Sequence, residues 1–142
     1  MGVEKETLVA SSGISRDGQD VGKVLRQDTV TVHYKAFYVH DGKTKLYENT
    51  RRWFFGRKVV FTVGAHKSHV MVGLDVGVQK MALGEKAKLC ITPDLAFAEY
   101  GHKGPQGKVP PNATVLMEME VLSIERNGVE HLSDSASSSC FA

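Results

Sequence analysis

Side chains able to do covalent or acid–base chemistry are sparse in this sequence, and they do not gather into a nucleophile–base set. His66 and His69 stand in an H-x-x-H spacing, but no cysteine and no clustered carboxylate lies beside them to complete a zinc site. Neither a metal nor a cofactor is expected. The two cysteines, Cys90 and Cys140, fall in a strand-like run and in a loose tail; a disulfide framework is not expected, and a reducing compartment is. His33 reads as a surface residue on the polar face of a strand. The densest cluster of distinctive side chains is RRWFFGRK, residues 51–58, where four basic residues bracket three aromatics. One reading is a bulged strand that buries Phe54 or Phe55 and solvates its arginines. The other is an exposed surface at Arg51, Arg52 and Trp53 that docks a protein partner, since Trp and Arg are common interface anchors. Nucleic acid is not expected as that partner, because a formal net charge of +2 is too mild to argue for it.

The elements that must position such residues belong to one small domain. A chain of 142 residues with 42% hydrophobic and 24% charged residues can bury a single modest core. No apolar run approaches the roughly 18 residues of a membrane span, and no segment of signal-peptide type opens the chain. Glu6 stands where a myristoylation signal needs Ser or Thr, and Cys140 is third from the last residue, not fourth. The expectation is a cytoplasmic monomer, with a nuclear pool left open. No membrane contact is expected.

Val3 to Val9 is short but β-compatible. In Thr29 to Val39, Val30, Val32, Tyr34 and Ala36 alternate with Thr31, His33 and Lys35, which predicts a strand with one apolar face. His40 to Lys43 contains Asp-Gly, a turn signal. Lys58 to Gly64 predicts another strand. Val70, Leu74, Val78 and Met81 then recur at helical spacing, with Gly84 as the expected C-cap. Gly73 and Gly77 would each cost about 1 kcal/mol in a helix interior, so they predict a short helix pressed close to other structure. Lys86 to Thr92 and Thr114 to Glu125 read as two more strands, the first ended by Pro93. Five strands and one helix without βαβ alternation describe an α+β domain: an antiparallel sheet covered by a helix. Residues 1–126 are assigned to it, and 127–142 to a polar, Ser-rich tail expected to be disordered.

Three blocks carry a resemblance: VTVHYKAF at 30–37, VGLDVGVQKMALGEKAKLCITPDLAFAEYG at 72–101, and VPPNATVLMEMEVL at 109–122. In order and spacing they resemble the FKBP-type peptidyl-prolyl cis-trans isomerases, the macrolide-binding immunophilins. The resemblance implies a strongly curved antiparallel half-barrel around one short helix, with an apolar pocket that accepts proline. It also gives a role to residues 96–115, which gather Pro105, Pro110, Pro111, Gly101, Gly104 and Gly107 into a loop over the pocket mouth, rigid at its root.

Carried over by position, the resemblance names Tyr34, Glu48 and Phe97 as catalytic. It names Tyr47, Val59, Phe61, Val70, Met71, Leu74, His102, Val109 and Met117 as substrate- or ligand-binding, with the Met71 N–H as donor to a ligand carbonyl. Leu74 stands where the family has Trp, Phe97 where it has Tyr, and Glu48 where it has Asp. Val59 and Met117 each replace Phe. These departures imply a peptidyl-prolyl isomerase of proline-containing segments with reduced activity and weak tacrolimus or rapamycin binding. The alternative they leave open is a non-catalytic chaperone or interaction module of the same fold.

Overall fold

The computed structural model describes residues 2–50, 58–65, 72–104 and 107–133. Arg51, Arg52, Trp53, Val70, Met71 and the His66–His69 spacing lie outside the described residues. The elements run β1 (Val3–Val9), β2 (Thr29–His40), β3 (Lys43–Asn49), β4 (Val59–Thr62), α1 (Val72–Val78), β5 (Lys86–Ile91), β6 (His102–Gly104), β7 (Gly107–Val109), β8 (Thr114–Arg126) and β9 (Val129–Leu132). A single 3-10 turn, Pro93–Leu95, follows β5.

Seven strands form one antiparallel sheet in the order β1-β5-β8-β2-β3, with β4 added on β2 and β9 on β8. The alternation read in β2 sets the register of its centre. Val30, Tyr34 and Ala36 face Ile124, Met119 and Met117 of β8, while Ala87 and Leu89 of β5 face Met119 and Met117 from the other side. This inner face closes on Leu74 and Val78 of α1 in one buried cluster. The result is the open, curled α+β sheet around one short helix that the sequence predicts.

Two irregularities bend the sheet. The β2–β8 register shifts between Thr31 and Val32, leaving Leu122 as the extra residue, and the β2–β3 register shifts between Ala36 and Phe37, leaving Tyr47. Such bulges increase local twist and re-aim a side chain. Asp41 and Gly42 have φ of 52° and 74°, the geometry of a two-residue hairpin turn.

Several expectations need correction. The helix stops at Val78; Met81 is buried beyond it, and Gly84 (φ +85°) sits in the turn into β5, not at a helix C-cap. β3 and β9 were not foreseen as strands. The domain also continues past 126: Asn127 and Gly128 have φ of 54° and 79°, and the hairpin they form returns β9 along β8. Ordered backbone therefore reaches Ser133, while 134–142 lie outside the described residues. The loop at 96–115 holds a small hairpin of its own, β6–β7.

The two helical glycines are explained by contact. A Cβ on Gly73 would lie 2.3 Å from Ile91 Cγ2 and 3.1 Å from the Leu95 carbonyl oxygen, and one on Gly77 would lie 2.6 Å from Leu89 Cδ1. Glu85 is 5% exposed and ties β1 to the turn before β5. Its carboxylate accepts from Lys5 Nζ at 2.8 Å, Thr7 Oγ1 at 3.0 Å and the Ala82 N–H at 3.0 Å. Burial pushes this carboxyl up, but the hydrogen bonds from Lys5, Ala82 and Thr7 outweigh it and hold the group below its usual range.

Two predictions follow from these contacts. Gly73→Ala gains helix propensity but overpacks the α1–β5 contact, so urea denaturation is expected to show a net loss of about 1–3 kcal/mol; unchanged stability would count against the contact. Because the folded pKa of Glu85 is depressed, its contribution is complete above the unfolded value and is lost as the pH falls through the folded one. Glu85→Gln is therefore expected to destabilise the protein at neutral pH, with the gap from wild type narrowing as the pH drops below 4.5. Thermal melts of both proteins across that range check it.

Candidate functional site

Tyr34 and Glu48 come from neighbouring strands. The register places Glu48 opposite Ala36, on the face that Tyr34 shares by the two-residue period of β2. The Tyr34 hydroxyl donates to Glu48 Oε1 at 3.0 Å. Burial, then the Glu48 charge and this hydrogen bond, push the Tyr34 phenol well up, and burial followed by the same charge does so for Tyr47. Both phenols stay protonated at neutral pH. Glu48 is half-buried and engaged, not a freely solvated edge charge.

Tyr47, the bulged residue, is 1% exposed and anchors an aromatic group. Its ring stands edge-on to Phe97 (5.8 Å, 77°) and to His102 (6.1 Å, 73°) and lies 6.4 Å from Tyr38. Phe97 and His102 stack at 4.3 Å with their planes 7° apart. Local backbone bonds hold that stack. Ala98 N–H donates to the Pro93 carbonyl at 2.8 Å, and Asn112 N–H to the Ala98 carbonyl at 2.7 Å. The second bond ties the segment after Pro110–Pro111 to the segment carrying Phe97.

The remaining residues named from the sequence arrive from other elements. Val59 and Phe61 on β4 face Val32 and Val30, Leu74 comes from α1, Val109 from the end of β7, and Met117 from β8. Tyr47, Phe61, Leu74, Val109 and Met117 belong to one contiguous buried cluster, and Tyr34, Val59 and Phe97 pack against it half-buried. His102 joins through its stack and Glu48 through its hydrogen bond. Asp75, beside Leu74, accepts the Gly64 N–H at 2.9 Å, fixing the end of the β4 turn to α1.

The structure adds residues that the sequence reading omitted. Tyr38, Leu95 and Ala96 pack on the same cluster. Tyr38 is the next member of the β2 alternation and was legible there; Leu95 and Ala96 sit on the 3-10 turn, where no periodicity marks them. His33 corrects an expectation. It is 8% exposed, and its Nδ1 lies 2.9 Å from Thr50 Oγ1. Thr50, just past β3, covers it and also receives the Tyr34 N–H at 2.8 Å.

Chemically, the arrangement is an apolar cluster with aromatic edges, at which Tyr34 and Glu48 are joined by a hydrogen bond. Among the described residues, no group of three or more His, Cys, Asp and Glu is placed to hold a metal ion.

Comparison with known proteins agrees with this architecture. Residues 22–122 match the family model of the FKBP-type peptidyl-prolyl cis-trans isomerase. A peptidyl-prolyl cis-trans isomerase of Schizosaccharomyces pombe is 44% identical over 124 residues, covering 87% of this chain and 96% of that protein. Mouse peptidyl-prolyl cis-trans isomerase FKBP14 is 38% identical over 71% of this chain, which spans 44% of that longer protein. Among solved structures, the N-terminal domain of FKBP42 from Arabidopsis thaliana superposes with a TM-score of 0.70 at 26% identity, covering 88% of this chain and 87% of that one. Motif order, curled sheet, single helix and these matches lead to one conclusion: the chain belongs to the FKBP-type peptidyl-prolyl cis-trans isomerase family.

Proposed function

We propose that the protein catalyses rotation about X–Pro bonds in peptide and protein segments, and that it binds macrolides such as tacrolimus and rapamycin weakly. Rotation must break amide resonance against a barrier of about 18–20 kcal/mol. The twisted imide has a less polarised carbonyl than the planar one, so a dry, apolar, shaped surface favours the twisted form. No nucleophile or proton relay is required. What carries the reading is the convergence of Tyr47, Phe61, Leu74, Val109 and Met117 in one apolar cluster, with Tyr34, Val59 and Phe97 half-buried at its rim. In this proposal the half-buried side chains and Leu74 meet the prolyl ring. Tyr34 and Glu48 hold each other at the edge, and His102 stiffens Phe97.

The departures from the family pattern act in one direction. Phe97 has no hydroxyl, and one lost ligand hydrogen bond is worth about 1 kcal/mol. Leu74 in place of Trp forfeits about 50–100 Å² of contact, or about 1–2.5 kcal/mol. Together these weaken macrolide binding by about 30- to 400-fold. Catalysis suffers less, because leucine and phenylalanine preserve dryness. The same two residues favour the second reading, a chaperone or interaction module that holds proline-containing segments without turnover.

A protease-free assay on a Leu-Pro-Phe peptide separates the two. The isomerase is expected to reach a kcat/KM near 10⁴ M⁻¹ s⁻¹, at the low end of the enzymatic range. No acceleration over buffer, with binding of the peptide retained, would leave the binding module. The double variant Leu74→Trp/Phe97→Tyr is expected to bind tacrolimus about 30- to 400-fold more tightly by calorimetry. An unchanged affinity in a folded variant would mean that these residues do not face the ligand.

A further inference from the structure

Charge is unevenly spread beside the open edge of the cluster. The loop at 96–115 contains one acidic residue, Glu99, and two lysines, Lys103 and Lys108. The register of the β6–β7 hairpin sets those lysines directly opposite each other, between the His102–Val109 and Gly104–Gly107 pairs. Like charges so placed push two strands apart, and a ribbon of three residues per strand has little stability to oppose them. Both side chains are exposed. By the two-residue period they leave the face that carries His102 and Val109, so they border the mouth and do not line it.

A third lysine comes from β3. Lys45 is paired with Tyr38, and Tyr38 with Val115 of β8. Val115 is 0% exposed in the cluster against which Tyr38 packs. Directly opposed residues share a face, so Lys45 stands on the inner face of the sheet, with its side chain exposed. β7 lies against β3, and Tyr47, two residues from Lys45, meets the His102 ring. Lys45, Lys103 and Lys108 thus flank one contact from three strands. Among the described residues none of these three side chains has an ion pair or a hydrogen bond. Of the carboxylates on the same elements, Glu48 is engaged by Tyr34 and Asp41 lies 3.4 Å from His40. Glu99 is left to set against three ammonium groups.

We propose that Lys45, Lys103 and Lys108 make the protein selective for proline-containing segments that carry an anionic side chain, a carboxylate or a phosphoserine, two or three residues from the X–Pro bond. The proposal rests on the reading that the apolar cluster receives the prolyl ring. The spacing comes from β3: Lys45 is two residues from Tyr47, about 7 Å at 3.3–3.4 Å per residue. An extended substrate covers that distance in the same number of residues. An anion held there sits beside an apolar surface, where attraction is stronger than in bulk water. Three exposed cations act on encounter and binding, so the selectivity belongs to KM and fades with salt.

The test is a protease-free assay of the full chain on Leu-Pro-Phe peptides of equal length. Glu, phosphoserine, Gln or Lys occupies the second or third position on either side of the bond. At low ionic strength the Glu peptide is expected to exceed the Lys peptide in kcat/KM by about tenfold at one of these positions. The phosphoserine peptide is expected to be higher still, since it carries about −1.5 to −2 charges. In about 0.5 M salt the ratio is expected to fall to within about twofold. Lys45→Gln/Lys103→Gln/Lys108→Gln is expected to abolish the ratio at low salt, and Lys45→Glu alone to lower it. Lys35→Gln/Lys86→Gln/Lys88→Gln, on the outer face, is expected to keep it; loss of the ratio there would mean that net charge alone is read. That result, equal rates for Glu and Lys peptides, or a ratio that survives the first triple variant would each overturn the proposal and leave the isomerase standing. Should no peptide, the Gln one included, rotate faster than in buffer, the isomerase reading fails, and calorimetry then decides the rim. Binding of the Glu peptide about tenfold tighter than the Lys peptide supports it, and equal binding overturns it.

Discussion

The close approach of α1 to β5 is the constraint on which the rest of the molecule depends. Gly73 and Gly77 present no Cβ, so the helix settles onto Ile91 and Leu89 at distances that any side chain would forbid. That closeness puts Leu74 into the same buried cluster as Phe61 and Met117. It costs about 1 kcal/mol of helix propensity at each glycine, and burial of the inner sheet face offsets it at about 25 cal/mol per Å². A helix as short as Val72–Val78 would not persist in water by itself; its stability comes from the sheet.

Around this contact, polar groups close the edges of the core. Glu85 joins β1 to the turn before β5. Asp28, 2% exposed, receives Arg126 through two bonds of 2.9 and 2.8 Å and also accepts the Leu25 N–H, pinning the segment before β2 to the end of β8. Buried carboxylates are tolerated only when their acceptor capacity is used, and each of these accepts three hydrogen bonds. At the rim of the cluster, Tyr34 and Glu48 follow the same rule. The inner surface they border can then remain apolar, which is the property that rotation about an imide bond needs.

Much of this was legible in the residues. The alternation at Val30, Val32, Tyr34 and Ala36 gave the inner face of β2, and the Asp41–Gly42 pair gave its turn. Asn127–Gly128 carried an equally strong hairpin signal, but the polar stretch after it concealed β9, in which no residue is fully buried. β3 was concealed for a related reason: its first three residues are exposed, and a bulge breaks its period at Tyr47. His33 was misplaced because alternation speaks only of the strand's own two faces. It says nothing of Thr50 folding back over one of them.

The sequence by itself determined the class of this protein, the polarity of its strands and the family it belongs to, because these follow from local period, turn chemistry and motif order. Tertiary structure alone decided which aromatic rings meet. The stack of Phe97 on His102 and their shared edge against Tyr47 join residues up to 55 positions apart through a bulge, a 3-10 turn and a hairpin. Which rings meet is set by how those elements pack in space, for which no spacing along the chain is a signal.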